Sequence, residues 1–396
     1  MKKSICAITS SRADYSHLYW PLKALQAEEN IDLSLVCFGP HLSPEYGETW
    51  RQIEKDGFKN IKKIESLLSS DSDLGMAKSL GLAILSFADY LSELRPDMLL
   101  IIADRYEMLA PANVALTLRI PIAHIEGGDV SEGAIDDAVR HALTKMSHIH
   151  FTPTALAKQR VLAMGEEPWR VHQSGAPSLD HLYKSTLPSP SEIARKFSIN
   201  LQRKLIVVAY HPVTLFENSV KEQKHLFSAL SKRSEQIIFC FPNADAGSHK
   251  IMQQAQLFCD RHAGAQIHTN LAAQTYWGLL KVANVMIGNS SSGIMEAPSL
   301  KLPTLNIGLR QKGREQAKNI IDVPADSDKI HQALEKALSF DFISTLEKIE
   351  NPYGNGKAAE VIAKVLSQLE INDTLLFKRS CLAATTKKSS SPMRSI

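Results

Sequence analysis

Short apolar runs alternate along this sequence with segments of helical length, and the alternation occurs twice. In the first half the runs are SICAIT, DLSLVCF, DMLLIIA, IPIAHI and HIHFTP, with helices expected from about Tyr15, Pro44, Met108, Ile135 and Leu156. In the second half the runs are KLIVVAYHP, QIIFCFPN, AQIHT, NVMIGN and LPTLNIG, each followed by a helical stretch. This order predicts an α/β fold of doubly wound parallel sheets that helices cover on both faces.

Chain length and one polar segment divide this pattern into two domains. A chain of 396 residues is too long for one average core. The segment YKSTLPSPSE, which begins at Tyr183, is rich in Pro and Ser and is typical of a linker. We therefore predict one Rossmann-like domain over residues 1–182 and a second over 191–365. The polar, Ser-rich segment 381–396 is expected to be a disordered tail.

Composition excludes several classes of function. The chain carries 45 Lys and Arg against 42 Asp and Glu, and five of the basic residues lie in the last nineteen positions, so the body lacks the basic surface that nucleic acids need. Five scattered cysteines without a C-x-x-C pair indicate reduced thiols. The N-terminal apolar run is too short for a signal peptide, and blocks such as MLLIIA are far shorter than a membrane span. We expect a cytoplasmic enzyme without nucleic-acid or membrane partners.

Charged and hydrogen-bonding residues follow the apolar runs, at the edge where ligands bind in open α/β sheets. Asp104 and Arg105 follow LLIIA, His211 follows IVVAY, and Asn243 follows IFCFP. The first run is followed by SSRADYSHL and the run VMIGN by SSSGIMEA. These loops are therefore the expected ligand-binding surface of both domains.

The serine-rich loop after VMIGN has the features of an anion site. Ser290 and Ser291 lead into a helix whose free N–H groups and dipole favour an anion, although plain N-capping by serine is an equal alternative. Arg310 and Arg314 follow the next strand and could bind a second phosphate, which suggests a diphosphate ligand.

Two further residues belong to this hypothesis. Glu296 lies one to two turns along the same helix and could accept hydrogen bonds from a ribose, the alternative being a solvent-facing glutamate. Arg12, at the first strand-to-helix turn, could close over the diphosphate from the other domain, or could be a surface arginine.

The segment HIEGGDVSEGAIDDAVRH, from His124 to His141, carries five carboxylates and three glycines. Asp136 and Asp137 begin a helix, where aspartates are good caps, and can pair four residues further along with Arg140 and His141. A metal site would use His124, Glu126, Asp136 and His141, or His148 and His150, but these residues lack a metal-ligand spacing. We therefore predict no metal ion.

Two carboxylates in this region suit acid/base chemistry. Glu126 ends an apolar strand and precedes two glycines, which permit close approach to the backbone. Asp104 ends the neighbouring strand in the same way. In one shared cleft, desolvation and like charge would raise the pKa of at least one of them into a range useful for proton transfer at carbon.

With these residues assembled, the chain resembles the hydrolysing UDP-N-acetylglucosamine 2-epimerases that open nonulosonate (sialic-acid-type) pathways. The similarity runs through SSRADYSHL, ADRYEMLA, HIEGGDVSEGAIDDAVRHALTKMSH, HPVT, FPNADAGS, GNSSSGIMEA and GLRQKGRE, and spares only the tail. The non-hydrolysing relatives carry a motif closer to HVEAG. The segment SEGAIDD has one residue more before Asp136 than the S-G-T-I-D-D pattern of the family, which affects the loop beside the sugar.

The resemblance implies a GT-B-like pair of Rossmann-like domains that face each other across a cleft, with a C-terminal helix over 366–380 crossing back to the first domain. It implies a homo-oligomer, a dimer or tetramer, that uses no cofactor. The residues that it places around UDP are Arg12, Ala13, Ser16, His211, Asn243, Leu271, Ser290, Ser291, Glu296 and Arg310. Those that it places in catalysis are Asp104, Glu126, Asp136 and His211.

The implied reaction converts UDP-N-acetylglucosamine and water to N-acetylmannosamine and UDP through a glycal intermediate. The same chemistry on UDP-N,N′-diacetylbacillosamine, which leads to legionaminic acid, is an alternative. Two further alternatives are a glycosyltransferase and a non-catalytic nucleotide-sugar sensor. Release of UDP without an acceptor would exclude both of these.

Overall fold

The computed structural model describes residues 2–70, 72–132, 135–211, 219–241, 248–269 and 271–381, whose strands form two parallel sheets. The strands of the first sheet are β1 (Lys3–Thr9), β2 (Ile31–Phe38), β3 (Ile61–Ile64), β4 (Met98–Ile102), β5 (Ile122–Ile125), β6 (Ile149–Thr152) and β7 (Val171–Gln173). Those of the second are β8 (Leu205–Ala209), β9 (Gln236–Phe241), β10 (Ala265–Thr269), β11 (Val285–Gly288), β12 (Thr304–Ile307) and β13 (Ile320–Val323).

Both sheets are doubly wound. The first has the order β3-β2-β1-β4-β5-β6-β7 and the second β10-β9-β8-β11-β12-β13. In each sheet the strand order reverses beside the first strand, so that a crevice opens at the carboxyl ends of its central strands. The predicted fold class, two Rossmann-like domains of the GT-B type, is confirmed.

Three strands that the sequence did not predict lie at sheet edges: β3, β7 and β13. In β3 the central residues Lys62 and Lys63 are exposed, and β7 ends in the polar pair His172 and Gln173. An edge strand pairs on one side only and can carry polar side chains, so its sequence lacks the continuous apolar run of a central strand.

Helices cover both sheets. They are α1 (Arg12–Ala27), α2 (Trp50–Lys55), α3 (Asp73–Leu94), α4 (Leu109–Thr117), α5 (Ile135–Met146), α6 (Ala155–Ala163), α7 (Ser178–Lys184), α8 (Pro190–Phe197), α9 (Ser219–Leu230), α10 (Ser248–Cys259), α11 (Ala273–Val282), α12 (Ser292–Met295), α13 (Ser327–Ala337), α14 (Phe340–Ser344), α15 (Ala358–Gln368) and α16 (Asp373–Leu376). The helix expected at Pro44 is a short 3-10 turn, Pro44–Tyr46, followed by α2. The linker expected from Tyr183 contains the end of α7 and the start of α8, where Ser189 and Glu192 form a capping box.

Among the described helices, α3 alone is long and apolar enough to cross a membrane by length and composition. Its side chains Ala83, Phe87 and Leu91 are buried in the core of the first domain, and the helix packs against α4. Leu74 and Leu85 on the same helix are exposed. The contacts of its buried face are those of a helix covering a sheet.

The chain returns to the first domain through α15. This helix packs against α1, and Ile362, Ala363 and Leu366 belong to the first domain's core. The ammonium of Lys3 in β1 donates to the carbonyl of Leu366 at 2.6 Å. The domain boundary predicted at residue 365 falls inside α15, so the return begins before the predicted 366–380, because the apolar face of α15 covers α1. Of the predicted tail, Cys381 is described and 382–396 lie outside the described residues.

Arg170 fastens the segment after α15 to the first domain. Its buried guanidinium donates to the carbonyls of Thr374, Leu375 and Phe377, at 2.9, 2.7 and 3.0 Å, and to the carbonyl of His148 at 3.2 Å. Hydrogen bonds from a charged donor are stronger than neutral ones, and backbone carbonyls that lose a buried partner are costly. The guanidinium therefore holds residues 374–377 in place.

Replacing Arg170 with Met should weaken the first domain. We expect the free energy of unfolding to fall by about 3 kcal/mol, since several carbonyls would lose a charged donor. Urea denaturation monitored by circular dichroism measures this free energy of unfolding. Arg379→Met, at an exposed position nearby, is the control and should change little. Equal stability of the two variants would contradict this role of Arg170.

Candidate active site

Glu126 and Ala103 turn the chain sharply at the ends of two neighbouring strands. The register pairs Ile102 of β4 with Ile125 of β5, so that Ala103 and Glu126 occupy equivalent positions. Both have left-handed φ angles, 58° and 63°, which few residues other than glycine adopt. Their amides still continue the ladder, Ala103 to Ile125 and Glu126 to Phe151. Strain of this kind accumulates at functional sites.

The glycines after Glu126 are required by close contacts. Gly128 has a φ of 78°, and a Cβ there would overlap the carbonyl oxygen of Ala157 in α6. A Cβ at Gly127 would lie 3.1 Å from Nδ1 of His124 and from Oγ1 of Thr144. The predicted close approach therefore occurs, and the approaching groups belong to the protein itself.

Glu126 pairs with His17, a residue of α1 that the sequence analysis did not single out. Oε1 of Glu126 lies 2.9 Å from Nδ1 of His17, and the Glu126 side chain is 10% exposed. Burial disfavours the charged form of each side chain, but the opposite charge of the partner favours it more strongly. The pKa of His17 is consequently raised to about 9 and that of Glu126 is lowered. Of the two carboxylates for which at least one raised pKa was expected, Glu126 has a lowered one, because of a partner that the sequence did not reveal.

Asp104 is held by Arg140 of α5. Nη2 of Arg140 donates to Oδ2 of Asp104, and Nη1 lies 3.6 Å from Oδ2 of buried Asp129. The side chain of Asp104 is 21% exposed, whereas that of Arg140 is 4% exposed. Arg140 and Asp129 were likewise missed as site residues, although both lie in the carboxylate-rich segment. The two strand-end carboxylates, Asp104 and Glu126, therefore have different cationic partners.

The aspartates that begin α5 differ in their surroundings. Oδ1 of Asp137 accepts from the amide of Ser131 at 2.8 Å, and Oδ2 lies 3.5 Å from Nε2 of His141. Asp137 thus has the pairing with His141 that its position suggested, and it holds the loop at Ser131 instead of capping the helix. Asp136, the predicted catalytic residue, lies in the same first turn and is half-buried.

The histidines considered as metal ligands have protein partners. His124 contacts the carbonyl of Ala103 at 2.8 Å, Nδ1 of His148 accepts from the amide of Ile122, and His150 contacts Glu166 at 3.1 Å. Within the described residues no group of three or more His, Cys, Asp or Glu side chains has the geometry of a metal site.

On the second domain, the serine-rich loop and its neighbours form one polar group. Asn289 accepts from the amide of His211 at 2.7 Å and donates to its carbonyl at 2.8 Å. Nη1 of Arg310 donates to the carbonyl of Asn289 at 2.8 Å. Ser290 contacts Ser292 at 3.0 Å, and Ser291 is the N-cap residue of α12. The predicted UDP ligands His211, Ser290, Ser291 and Arg310 therefore lie around a single loop.

Glu296 follows α12 and is buried rather than solvent-facing, with 5% of its surface exposed. Burial raises its pKa, and the charge of Glu126 acts in the same direction, whereas His17 opposes them. Glu296 of the second domain and Glu126 of the first are therefore near enough to influence each other, with His17 close to both.

The remaining predicted residues lie on both sides of the crevice. Arg12 and Ala13 are exposed at the start of α1, and Ser16 is half-buried on its first turns. Leu271 is half-buried and packs against the core between β8 and α11. Asn243 lies outside the described residues.

Two arginines join the domains beside Glu126. Nε of Arg314, which follows β12, donates to the carbonyl of Val130 at 3.0 Å and lies 3.5 Å from Oδ2 of Asp129. Arg160 of α6 donates to the carbonyl of Gly313 at 2.7 Å. These contacts fix the loop after β5 against the second domain.

The Arg314→Met substitution should loosen this junction. We expect faster hydrogen exchange over residues 126–132, since Asp129 and Val130 would lose their partner from the second domain. Lys312→Met, on the same loop but exposed, should leave exchange unchanged. Equal protection of 126–132 in the two variants would show that Arg314 does not hold the junction.

Known proteins are similar to this chain in sequence and in architecture. A family model described as UDP-N-acetylglucosamine 2-epimerase matches residues 23–367. A GDP/UDP-N,N′-diacetylbacillosamine 2-epimerase (hydrolyzing) of Campylobacter jejuni is 39% identical over 344 residues, 86% of this chain and 89% of the relative. A UDP-N,N′-diacetylbacillosamine 2-epimerase (hydrolyzing) of Legionella pneumophila is 36% identical, over 96% of this chain and 99% of the relative.

A solved structure agrees in fold. The UDP-GlcNAc 2-epimerase of Neisseria meningitidis, bound to UDP-GlcNAc, superposes with a TM-score of 0.78 over 92% of this chain and 99% of that one, at 18% identity. The two-domain fold is thus that of nucleotide-sugar epimerases. The chain belongs to the UDP-N-acetylglucosamine 2-epimerase family, and the resemblance to its hydrolysing members is confirmed.

Proposed function

We propose that this protein is a hydrolysing 2-epimerase that converts a UDP-2-acetamido sugar and water to the free 2-epimer and UDP. The observation that carries the proposal is the placement of the ionised Glu126 carboxylate at the crevice between the domains. Asp104 lies one position further along the neighbouring strand, and the serine-rich loop follows a strand end of the second domain. Such an arrangement suits removal of a proton from carbon as a diphosphate leaves.

In the proposed first step a carboxylate, Glu126 or Asp104, takes the proton from carbon 2. The electrons of the C–H bond form the double bond of a glycal, and the bond from carbon 1 to oxygen breaks with its electrons leaving on UDP. The oxygen of water then bonds to carbon 1 and water gives up one proton to solvent, while the carboxyl group of Asp136, by our assignment, gives a proton to carbon 2 on the opposite face. General acid/base catalysis contributes about 10²–10⁴-fold to such steps.

UDP is proposed to bind mainly on the second domain. Arg310, His211 and the hydroxyls of Ser290 and Ser291 would meet the diphosphate, and Glu296 the ribose. Positive and hydrogen-bond-donating groups that face a developing charge stabilise the transition state. From the first domain, the exposed Arg12 would close over the diphosphate, with Ala13 and Ser16 beside it, while Asn243 and Leu271 complete the nucleotide site.

Two sugars are candidate substrates. UDP-N-acetylglucosamine, giving N-acetylmannosamine for sialic-acid-type biosynthesis, is the substrate that the sequence resemblance implies. UDP-N,N′-diacetylbacillosamine, giving a precursor of legionaminic acid, is favoured by the names of the Campylobacter and Legionella relatives. The additional residue before Asp136 lies in the loop that we propose to lie beside the sugar, so it bears on which of the two is accepted. The absence of a cofactor and metal, the homo-oligomer and the cytoplasmic location stay predictions.

The decisive experiment offers each UDP-sugar separately in heavy water. We expect UDP release without any acceptor, and a product that carries deuterium at carbon 2, because the returning proton comes from a carboxylate that exchanges with solvent. Mass spectrometry and proton NMR measure the released UDP and the deuterium at carbon 2 of the product. A glycosidase mechanism would leave carbon 2 untouched. Retention of the substrate's carbon-2 hydrogen would exclude the elimination.

Isosteric amides test the two carboxylates. Glu126→Gln and Asp104→Asn should each lower turnover by about two orders of magnitude or more while UDP binding persists, since an amide cannot accept the proton. Asp137→Asn, at the aspartate that pairs with His141, is the matched control and should retain most of its activity. Calorimetry with UDP and coupled UDP-release assays measure the two properties. Near-normal turnover of both amide variants would assign the two carboxylates a structural role.

A further inference from the structure

We propose that His17 is a positioning residue for Glu126: its ring holds one carboxylate oxygen and supplies the positive charge that keeps Glu126 ionised at the domain crevice. This inference rests on the proposed function where it concerns catalysis, because Glu126 is there the carbon base. The pairing of the two side chains is a property of the protein without substrate. The two parts are therefore tested separately.

The geometry of the pair is fixed from both sides. Nδ1 of His17 lies 2.9 Å from Oε1 of Glu126, which leaves Oε2 for another partner. The turn of α1 that carries His17 is anchored where the carbonyl of Ser16 contacts Nε2 of His181 at 2.7 Å. Glu126 is anchored by its backbone hydrogen bond to Phe151. A carboxylate held in this way keeps one oxygen in a constant direction.

The surroundings of His17 explain why it carries charge. Glu126 faces it from the end of β5, Glu296 from the end of α12, and Asp14 from its own helix. His181 of α7 is the neighbouring titratable base, and burial lowers its pKa to about 4, so it is neutral at pH 7. Three carboxylates thus surround one imidazolium. Burial alone would lower the pKa of His17, but these charges raise it to about 9.

The direction of the effect on Glu126 follows from the same contacts. The ion pair exists from the lowered pKa of Glu126 up to about pH 9, where the imidazolium loses its proton and the carboxylate stays ionised without it. Without a cation at position 17, Arg314 and His124 would still favour the charged form of Glu126, but burial and the like charge of Glu296 would meet less opposition, so its pKa would rise. A carboxylate can act as a base only when it is ionised. The acid limb of the pH profile of kcat/KM would therefore move to higher pH.

The first experiment uses the protein without substrate. NMR of ¹⁵N-histidine, with the signal assigned through His17→Gln, should show His17 titrating with a pKa of about 9. In Glu126→Gln this pKa should fall by about one unit or more, because burial then acts with less opposition. A His17 pKa near 6.5 in the unmodified protein, or no change in Glu126→Gln, would overturn the pairing.

The second experiment compares pH profiles of kcat/KM. His17→Gln should move the acid limb to higher pH by about one unit, which lowers activity about tenfold at acidic pH and less at pH 8. His17→Lys keeps a cation and should restore the position of the limb. His225→Gln, exposed on α9 of the second domain, is the control and should not move it.

The outcomes separate the possible causes of failure. A uniform loss of activity at every pH in His17→Gln, without rescue by His17→Lys, would give His17 a purely structural role and overturn the proposal. If the unmodified protein releases no UDP from either sugar, the proposed function fails while the NMR titration still decides the pairing.

Discussion

The carboxylate of Asp129 lies between two arginines that come from different domains. Its Oδ2 is 3.6 Å from Nη1 of Arg140 and 3.5 Å from Nε of Arg314. A buried carboxylate is costly unless cations and hydrogen bonds compensate it, so Asp129 requires both helix α5 and the second domain to be in place. Glu126 lies only three residues before Asp129. The contacts that hold Asp129 therefore also hold the loop that carries the candidate base.

Partners of different chemistry distinguish the two strand-end carboxylates. Asp104 contacts Arg140, whose guanidinium also lies near Asp129, and burial lowers the pKa of this arginine to about 9. Glu126 contacts His17, whose charge depends on pH. The neighbouring carboxylates raise the pKa of His17 to about 9, so both counter-ions are charged at neutral pH. The carboxylates at these two neighbouring strand ends are thus held by cations of different shape, a forked guanidinium and an imidazole ring.

The fold was largely predictable because central strands are buried on both faces. β4 is apolar at every position, and β8 likewise, so their runs stand out from the sequence. The edge strands were missed because one side of each pairs with no neighbour and their exposed side chains, such as Lys62 and Lys63, need not be apolar. The return of the chain through α15 starts before the predicted residue, since an amphipathic helix does not reveal which domain it covers.

The sequence by itself determined which residues stand at the carboxyl ends of the strands, since each follows directly on an apolar run; Asp104, Glu126 and the serines after β11 were found in this way. The tertiary structure alone decided their partners. His17 lies 109 positions before Glu126, and Arg140 lies 36 after Asp104. Such pairs form because parallel strands gather distant segments at one sheet edge, and burial there makes each charge depend on a neighbour that no local pattern identifies.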